Sequence, residues 1–432
     1  MKLNFLFCDN MILQRNRNVA VWGEADSAVK ISIDGNFTKA DPKDGKFMAS
    51  LPPHAEGGPF TMLVEGDGEV IEIKNVYYGD VYLAGGQSNM GLTLADAMQP
   101  LDECKMPVKI FTPDRKWECD KRPLTDMRWV DICVENAYGI SAAASHFAID
   151  IANSQNVPVG ILSSNQGASC IRSWVSPETT STDPVFGPET KHHRNAYTFE
   201  FNGNSDLYIE RLLQVAPYTI KGVIWYQGES DADECISFRY AYMFDLMVKD
   251  WRKLWDDPDL PFITVQLTYH TVEEPTFDWE ILREQQLKAM LEGHNIGMIT
   301  IGDAGDLPDI HPKNKKIVGQ RLAIYARGML YGEDIVYQPP ICTSMQVEDG
   351  VAVLKFINTG DGLYEKKPLT FLVLDKDGNS TVGKYSIHGD TVKVWADGVE
   401  SYEIRFCFDA ESEVMLYSSA DLPASPFRIK AE

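Results

Sequence analysis

The chain lacks the spaced cysteine pairs, long apolar runs and excess of positive charge that mark several common classes of protein. Its eight cysteines include no C-x-x-C pair, so neither a zinc site nor a disulfide framework is expected, and the thiols should be free and buried. No apolar run approaches the roughly 20 residues of a transmembrane helix. A formal net charge of -23 disfavours binding to nucleic acid or to an anionic membrane surface.

The amino terminus carries only the beginning of a signal-peptide pattern. Lys2 precedes a short apolar stretch that ends at Asp9, and no small-residue cleavage site follows. We therefore expect a mature, cytoplasmic chain unless the terminus was trimmed. The composition is also compatible with a homo-oligomer.

A length of 432 residues predicts two or three domains. Residues 1–75 alternate polar and apolar positions between Asp-Gly and Gly-Gly turns, which predicts an N-terminal β-sandwich domain. Residues 336–432 show a similar pattern and predict a C-terminal β domain. Residues 76–335 form the predicted catalytic domain, in which the polar segment 180–195 should be a loop.

In this middle region, apolar strands alternate with helical segments, which predicts an α/β fold with a doubly wound parallel sheet. Near-continuous apolar runs are typical of strands covered on both faces. The predicted strands are 80–83, 159–162, 222–225, 262–265 and 298–301. The predicted helices are 140–153, 237–255, 279–292 and 313–329.

Ligands of open α/β sheets bind beyond the carboxyl ends of the strands, so the residues that follow each strand are informative. After the first strand, Gly85 and Gly86 permit a sharp turn that would expose the hydroxyl of Ser88. A helix starting there would offer free N–H groups to an oxyanion. The alternative is a plain helix N-cap at Ser88.

The second and third strands are also followed by polar groups. The backbone N–H of Gly167 is a candidate oxyanion donor, unless Gly167 only eases a loop. Gln227 is a candidate third donor, and Glu229 could orient a base or brace a loop. The alternative for both side chains is a solvated polar loop, which the preceding aromatic residues disfavour.

The fifth strand leads to His311, which lies just before Pro312 and a predicted helix whose first turn suits proline. Asp309 lies two positions earlier and can set the tautomer of the imidazole. Acyl transfer needs a nucleophile, a base and an acid that orients the base, and Ser88, His311 and Asp309 supply those types. A lone surface histidine is the alternative interpretation.

These segments closely resemble conserved blocks of the sialate O-acetylesterase family, a branch of the SGNH (GDSL-type) hydrolases related to acetylxylan esterases. The resemblance also covers short segments near both ends of the chain, so that nearly the whole chain is similar to the family. The matching segments are GDVYLAGGQSNM (79–90), VPVGIL (157–162) leading to Gly167, IKGVIWYQGES (220–230), LREQQ (282–286), DIHPKNK (309–315), GQRLA (319–323), DNMILQR (9–15), VWG (21–23) and LPASPFR (422–428).

The resemblance implies a carbohydrate O-acetylesterase with an acyl-enzyme mechanism and no cofactor or metal. Ser88 would be the nucleophile and His311 the base, while the N–H groups of Ser88 and Gly167 and the amide of Gln227 would line the oxyanion hole. Many SGNH enzymes place the acid three residues before the histidine, where this chain has Pro308. Asp309 is therefore our choice. The other candidate acids are Asp306 and Glu229.

Several further side chains are candidates to support the site or bind the sugar of an acetylated small molecule or oligosaccharide. They are Glu229, Asn89, Arg172 and Trp174. For Trp174 and Trp225, packing is the alternative to sugar stacking. The competing functions are an acetylxylan esterase, another small-ester SGNH esterase, and a catalytically inactive carbohydrate-binding protein, which the intact Ser88 and His311 disfavour.

Overall fold

The computed structural model describes residues 1–113, 127–187, 199–271 and 277–431. Short strands fill the amino-terminal region, as its alternating pattern predicts. They are β1 (Lys2–Leu3), β2 (Ile12–Gln14), β3 (Val19–Glu24), β4 (Val29–Ile33), β5 (Asn36–Ala40), β6 (Lys46–Leu51), β7 (Gly57–Gly66) and β8 (Glu69–Gly86). Strands β1, β3 and β6 form one antiparallel sheet, and β5, β4, β7 and β8 pair as a second antiparallel ladder.

The strands of the middle region are β9 (Val108–Phe111), β10 (Trp129–Asp131), β11 (Val159–Asn165), β12 (Gly222–Tyr226), β13 (Phe262–Gln266) and β14 (Ile296–Thr300). They form a sheet with β8 in the order β10-β9-β11-β8-β12-β13-β14. All neighbouring pairs are parallel except β10 with β9, which is antiparallel. The α/β prediction is confirmed, but the sheet is mixed because a short antiparallel strand closes its edge.

The α-helices are α1 (Ser88–Gly91), α2 (Leu94–Ala97), α3 (Ala142–Gln155), α4 (Pro177–Thr182), α5 (Leu213–Val215), α6 (Tyr240–Trp255), α7 (Trp279–Glu292) and α8 (Lys315–Tyr331). The 3₁₀ turns are Val134–Asn136, Ile171–Trp174, Pro184–Phe186, Glu200–Asn202, Glu229–Asp231 and Ser237–Arg239, with a π-helical turn at Tyr208–Leu212. Every residue of β11, β12, β13 and β14 is buried, so helices and loops cover both faces of this part of the sheet. No helix in the described ranges is long and apolar enough to span a bilayer.

The four longer helices confirm the predicted segments to within a few residues. The last one starts later than expected, because the side chain of Asn314 caps it by accepting a hydrogen bond from the N–H of Ile317. Pro312 therefore lies before α8 and not in its first turn. The segment 180–195, predicted as a loop, begins inside α4 and includes a 3₁₀ turn; its residues 188–195 lie outside the described ranges.

The described carboxyl-terminal region contains strands and loops and no helix, in agreement with its predicted β-rich pattern. The full set is β15 (Ile341–Glu348), β16 (Val351–Ile357), β17 (Leu363–Glu365), β18 (Phe371–Leu374), β19 (Ser380–Val382), β20 (Lys384–His388), β21 (Thr391–Trp395), β22 (Glu403–Phe406), β23 (Leu416–Ser418) and β24 (Phe427–Lys430). These strands surround a hydrophobic core of their own, whereas the amino-terminal and middle regions share one continuous core. The predicted boundary at residues 75 and 76 falls within β8, and the three-domain division stays a prediction.

The described cysteines are free, as expected, but only Cys170 among them is fully buried, so the prediction of buried thiols is wrong for the others. Because these cysteines form no disulfides, packing must hold the regions together.

Helices α3 and α8 show how close that packing is. A Cβ added at Gly319 in α8 would lie 2.6 Å from the carbonyl oxygen of Ala143 and 2.7 Å from the backbone nitrogen of Phe147.

We expect Gly319→Ala to destabilise the protein by about 1–3 kcal/mol, because backbone atoms of α3 cannot move aside as a side chain can. Thermal unfolding followed by circular dichroism measures this loss. Gln320→Ala, at the next and partly exposed position of α8, is the matched control and should change stability by less than about 0.5 kcal/mol. Equal melting temperatures for the two variants would contradict the proposed helix contact.

Candidate active site

Ser88 stands at the end of the central strand β8, where Gly86 turns the chain. Gly86 has φ of +131°, and a Cβ there would lie 2.1 Å from the carbonyl oxygen of Tyr226 in the adjacent strand β12. The N–H of Gln87 donates to that same carbonyl at 3.0 Å. Only glycine fits this turn, and the turn starts α1 at Ser88, whose side chain is half-buried at the carboxyl edge of the sheet.

His311 reaches Ser88 from the segment between β14 and α8. Its Nε2 lies 2.8 Å from Ser88 Oγ, a hydrogen bond that joins residues 223 positions apart. For Nε2 to accept the serine proton, the imidazole must carry its own proton on Nδ1. The contact on which acyl transfer would depend is therefore present.

Asp309 is the predicted acid that lies beside Nδ1 of His311. Its Oδ1 is 3.7 Å from that nitrogen and also accepts the backbone N–H of His311 at 2.8 Å. The two side chains are 39% and 41% exposed, so an interaction between the Asp309 carboxylate and the imidazole would cross a solvent-exposed separation and would not be a buried hydrogen bond. Its electrostatic effect is correspondingly moderate.

The two other candidate acids are engaged differently. Asp306 is exposed, and within the described ranges no hydrogen bond or ion pair joins its side chain to His311. Its backbone carbonyl accepts the N–H of Asp309 at 3.2 Å, so it shapes the loop. Glu229 is buried, and its Oε1 accepts a 2.5 Å hydrogen bond from Nδ2 of Asn89.

Two backbone N–H groups are available for an oxyanion. Across the part of the chain that the structure describes, the N–H groups of Ser88 and Gly167 donate to no protein acceptor. Gly167 is close to the serine, since a Cβ added to it would lie 3.7 Å from Ser88 Cβ. Both groups could thus stabilise negative charge on an acyl group attached to Ser88 Oγ.

Gln227 is not arranged as the third donor, which corrects the prediction. Both hydrogens of its amide are donated elsewhere, to the carbonyl of Ser169 at 3.0 Å and to Oδ2 of Asp231 at 2.5 Å. Its Oε1 accepts from the hydroxyl of Tyr240 at 2.9 Å, and the whole side chain is buried. No amide hydrogen is left to meet an oxyanion, so Gln227 instead ties neighbouring loops together.

Trp174 does not form a sugar platform, and that prediction is wrong. It is fully buried, it packs edge-on against the equally buried Trp225 with centroids 5.7 Å apart, and its indole N–H donates to Ser169 Oγ. Arg172 is partly exposed and fastens two turns by donating to Asn204 Oδ1 at 2.7 Å and to the carbonyl of Phe186 at 3.0 Å.

Lys315 is the residue near the site that the sequence reasoning missed. Its side chain is fully buried, and its Nζ donates a 2.5 Å hydrogen bond to Asn89 Oδ1. Burial lowers the pKa of Lys315 to about 7, against the opposing charges of Glu229 and Asp309. A signal was present in the sequence: a lysine in the first turn of a helix opposes the helix dipole and needs a local reason.

The fold and the site define a class of protein. A serine hydroxyl bonded to a histidine at the carboxyl edge of an α/β sheet is an arrangement suited to ester hydrolysis, and comparison with known proteins places the chain among the carbohydrate esterases. A family model for sialic acid-specific acetylesterases matches residues 78–326, more than half of the chain. The chain belongs to this family of carbohydrate esterases.

Relatives support the same assignment over most of the chain. The sialate O-acetylesterase of Mus musculus is 26% identical over 407 residues, covering 78% of this chain and 75% of the mouse protein. That of Homo sapiens is 24% identical over 389 residues, covering 77% and 72%. The crystal structure of a carbohydrate acetylesterase from Xanthomonas citri superposes with a TM-score of 0.88 at 31% identity, over 100% of this chain and 99% of that one. The resemblance seen in the sequence is confirmed.

We expect Gly86→Ala to cost more than about 2 kcal/mol of stability, because the added Cβ meets a backbone carbonyl and the residue must keep a positive φ. Chemical denaturation measures the change. Gly167→Ala is the matched control: its Cβ would make an ordinary contact with Ser88 Cβ, so the variant should fold with nearly wild-type stability. A Gly86→Ala protein as stable as wild type would show that the turn is built differently.

Proposed function

We propose that the protein removes acetyl groups from hydroxyls of sugars, as a sialate 9-O-acetylesterase-like enzyme, through a serine acyl-enzyme. Its membership of a carbohydrate acetylesterase family supports the reaction class. The observation that carries the mechanism is the 2.8 Å contact between Ser88 Oγ and His311 Nε2. The alternatives from the sequence, an acetylxylan esterase and another small-ester SGNH esterase, share this chemistry and differ in the alcohol that leaves.

In the first step, Ser88 Oγ attacks the acetyl carbonyl carbon while His311 Nε2 takes the hydroxyl proton. The carbonyl oxygen becomes an oxyanion near the N–H groups of Ser88 and Gly167, and one such donor contributes about 3 kcal/mol to catalysis. The carbon–oxygen bond to the sugar then breaks, and His311 returns the proton to the departing hydroxyl. The acetyl group is left on Ser88.

In the second step, a water molecule attacks the acetyl-serine carbonyl and gives a proton to His311. The bond to Ser88 Oγ breaks, the serine recovers its proton from His311, and acetic acid leaves and loses its carboxyl proton to the solvent. Asp309 favours the Nδ1-protonated imidazole and stabilises the imidazolium that forms in each step, with its half-exposed carboxylate 3.7 Å away. His311 thus carries one proton in each step, and the other proton of the water leaves with the product.

We also propose that the middle region is an SGNH-type, flavodoxin-like hydrolase domain that spans residues 76–335. Small β domains would flank it at residues 1–75 and 336–432. The parallel order of β11, β8 and β12, with Ser88 following the central strand, supports this interpretation. The separate hydrophobic core of the carboxyl-terminal strands supports the second boundary.

Ser88→Ala should abolish release of acetate while leaving the fold intact, because it removes the hydroxyl that would attack the acetyl carbonyl. Acetate release is measured with O-acetylated sialic acids and with acetylated xylo-oligosaccharides, and 4-nitrophenyl acetate serves as a general ester. Thermal unfolding controls for folding. Full activity in the variant would exclude Ser88 as nucleophile, and an inactive wild-type protein on every ester would favour a carbohydrate-binding protein instead.

Asp309→Asn should lower kcat/KM by about tenfold, far less than the roughly 10⁴-fold loss typical of a buried acid hydrogen-bonded directly to its histidine. The matched control is Asp306→Asn, which should stay within about twofold of wild type because that exposed side chain makes no direct contact with the imidazole. Steady-state kinetics on 4-nitrophenyl acetate separates the two. A larger loss in Asp306→Asn than in Asp309→Asn would reverse the assignment.

A further inference from the structure

A cluster of three buried polar side chains lies next to the Ser88–His311 pair: Asn89, Lys315 and Glu229. Asn89 is 2% exposed, Glu229 is 2% exposed, and Lys315 is 0% exposed. The amide of Asn89 stands between the two charged groups, accepting from Lys315 Nζ and donating to Glu229 Oε1, both at 2.5 Å. Below the pKa of Lys315, a cation and an anion are thus linked through one neutral side chain.

Burying either charge alone would be costly, because neither the ammonium nor the carboxylate can be solvated there. Together they compensate each other, and the amide between them is polarised in the direction that strengthens both hydrogen bonds. The ring of Tyr226 adds a face toward Lys315, whose Nζ lies 5.1 Å from the ring centroid. The charges therefore fix the orientation of the Asn89 amide.

The remaining hydrogen of that amide connects the two halves of the active site. Asn89 follows Ser88 in the chain, and its Nδ2 also donates to the carbonyl of Ile310 at 2.9 Å. Ile310 in turn precedes His311. One side chain thus links the backbone next to the serine with the backbone next to the histidine, and both of its hydrogens and its oxygen are engaged.

We propose that Lys315 and Glu229, acting through Asn89, form a clamp that sets the separation between Ser88 and His311. These are positioning residues, since the chemistry is carried out by Ser88 and His311. The inference rests on the proposed esterase function of that pair. Glu229 is accordingly assigned to the clamp and not to the acid that orients His311.

Removing the linker should reduce turnover more than binding. Asn89→Ala should lower kcat by about 100-fold, the loss typical of reacting groups displaced by about 1 Å, while KM stays within about twofold. Steady-state kinetics on 4-nitrophenyl acetate gives both constants. Lys316→Met is the matched control, since Lys316 is the next residue of α8, is partly exposed and pairs with the exposed Asp102; its kcat should be unchanged.

The charge pairing has a signature that a merely structural role would lack. Lys315→Met and Glu229→Gln each leave one buried charge uncompensated, and each should lower kcat by about 100-fold. The double variant removes both charges and should recover activity to within about tenfold of wild type, a non-additive result. Thermal unfolding should show the same recovery of stability. A double variant with the product of the two single losses would overturn the pairing.

The outcomes separate the clamp from the function on which it rests. An inactive wild-type protein, or an active Ser88→Ala variant, would refute the esterase mechanism itself. A wild-type enzyme that depends on Ser88, together with a folded Asn89→Ala variant of unchanged kcat, would overturn the clamp alone. If Asn89→Ala does not fold, Asn89→Ser keeps a small polar group there and should show a smaller loss of kcat at constant KM; an unchanged kcat in that folded variant would equally overturn the clamp.

Discussion

The hydrogen bond between Ser88 and His311 is possible because the carboxyl ends of the parallel strands lie at the same edge of the sheet. The two residues nevertheless follow strands that are not neighbours. Strand β8 leads to Ser88, whereas β14 lies at the far side of the sheet beyond β12 and β13. The chain after β14 must therefore return across the sheet edge. Three hydrogen bonds hold this returning segment in place. The hydroxyl of Tyr269 donates to the carbonyl of Gly305, and the N–H of Thr271 donates to the carbonyl of Leu307. The side-chain amide of Asn89 donates to the carbonyl of Ile310.

Around the Ser88–His311 contact, hydrogen bonds from side-chain amides restrict the movement of the neighbouring loops. Gln87 Oε1 accepts the N–H groups of Gly228 and Ser230, and Gln286 Nε2 donates to the carbonyl of Gln227. Each of these amides is buried, so an unpaired group would cost free energy and the paired arrangement is strongly preferred. Rigid surroundings of this kind hold a hydroxyl and an imidazole at reacting distance without substrate.

Much of this architecture follows from periodicity and from the rule that function gathers at strand ends. The long helices and the buried strands were predictable because apolar spacing of 3.6 residues or continuous apolar runs specify them directly. The same rule predicts that Ser88, Gly167 and His311 lie at one edge of the sheet. Strand β9 was missed because Lys109 interrupts its short apolar run, and β10 was missed because it has only three residues.

The directions of individual side chains were not predictable. Gln227 follows a strand end, where an oxyanion donor is expected, but its amide hydrogens are donated to Ser169 and Asp231. Only the folded loops bring those two acceptors close to Gln227, so the sequence pattern could not reveal these hydrogen bonds. The same holds for Trp174, because its position next to a motif in the sequence does not determine the direction of its indole ring. The burial of Lys315 was likewise not predictable, because it depends on Asn89 and Glu229, which belong to two other segments of the chain.

Strand β8 carries a consequence for the amino-terminal region. One continuous strand runs from Glu69 to Gly86; its first half pairs with β7 and its second half with β11 and β12. The amino-terminal sheet is consequently an extension of the same ribbon that ends at the nucleophilic turn, with no linker between them. Removing that region at the strand would cut the backbone of the sheet's central strand, so the amino-terminal region and the nucleophilic turn share one covalent and hydrogen-bonded element.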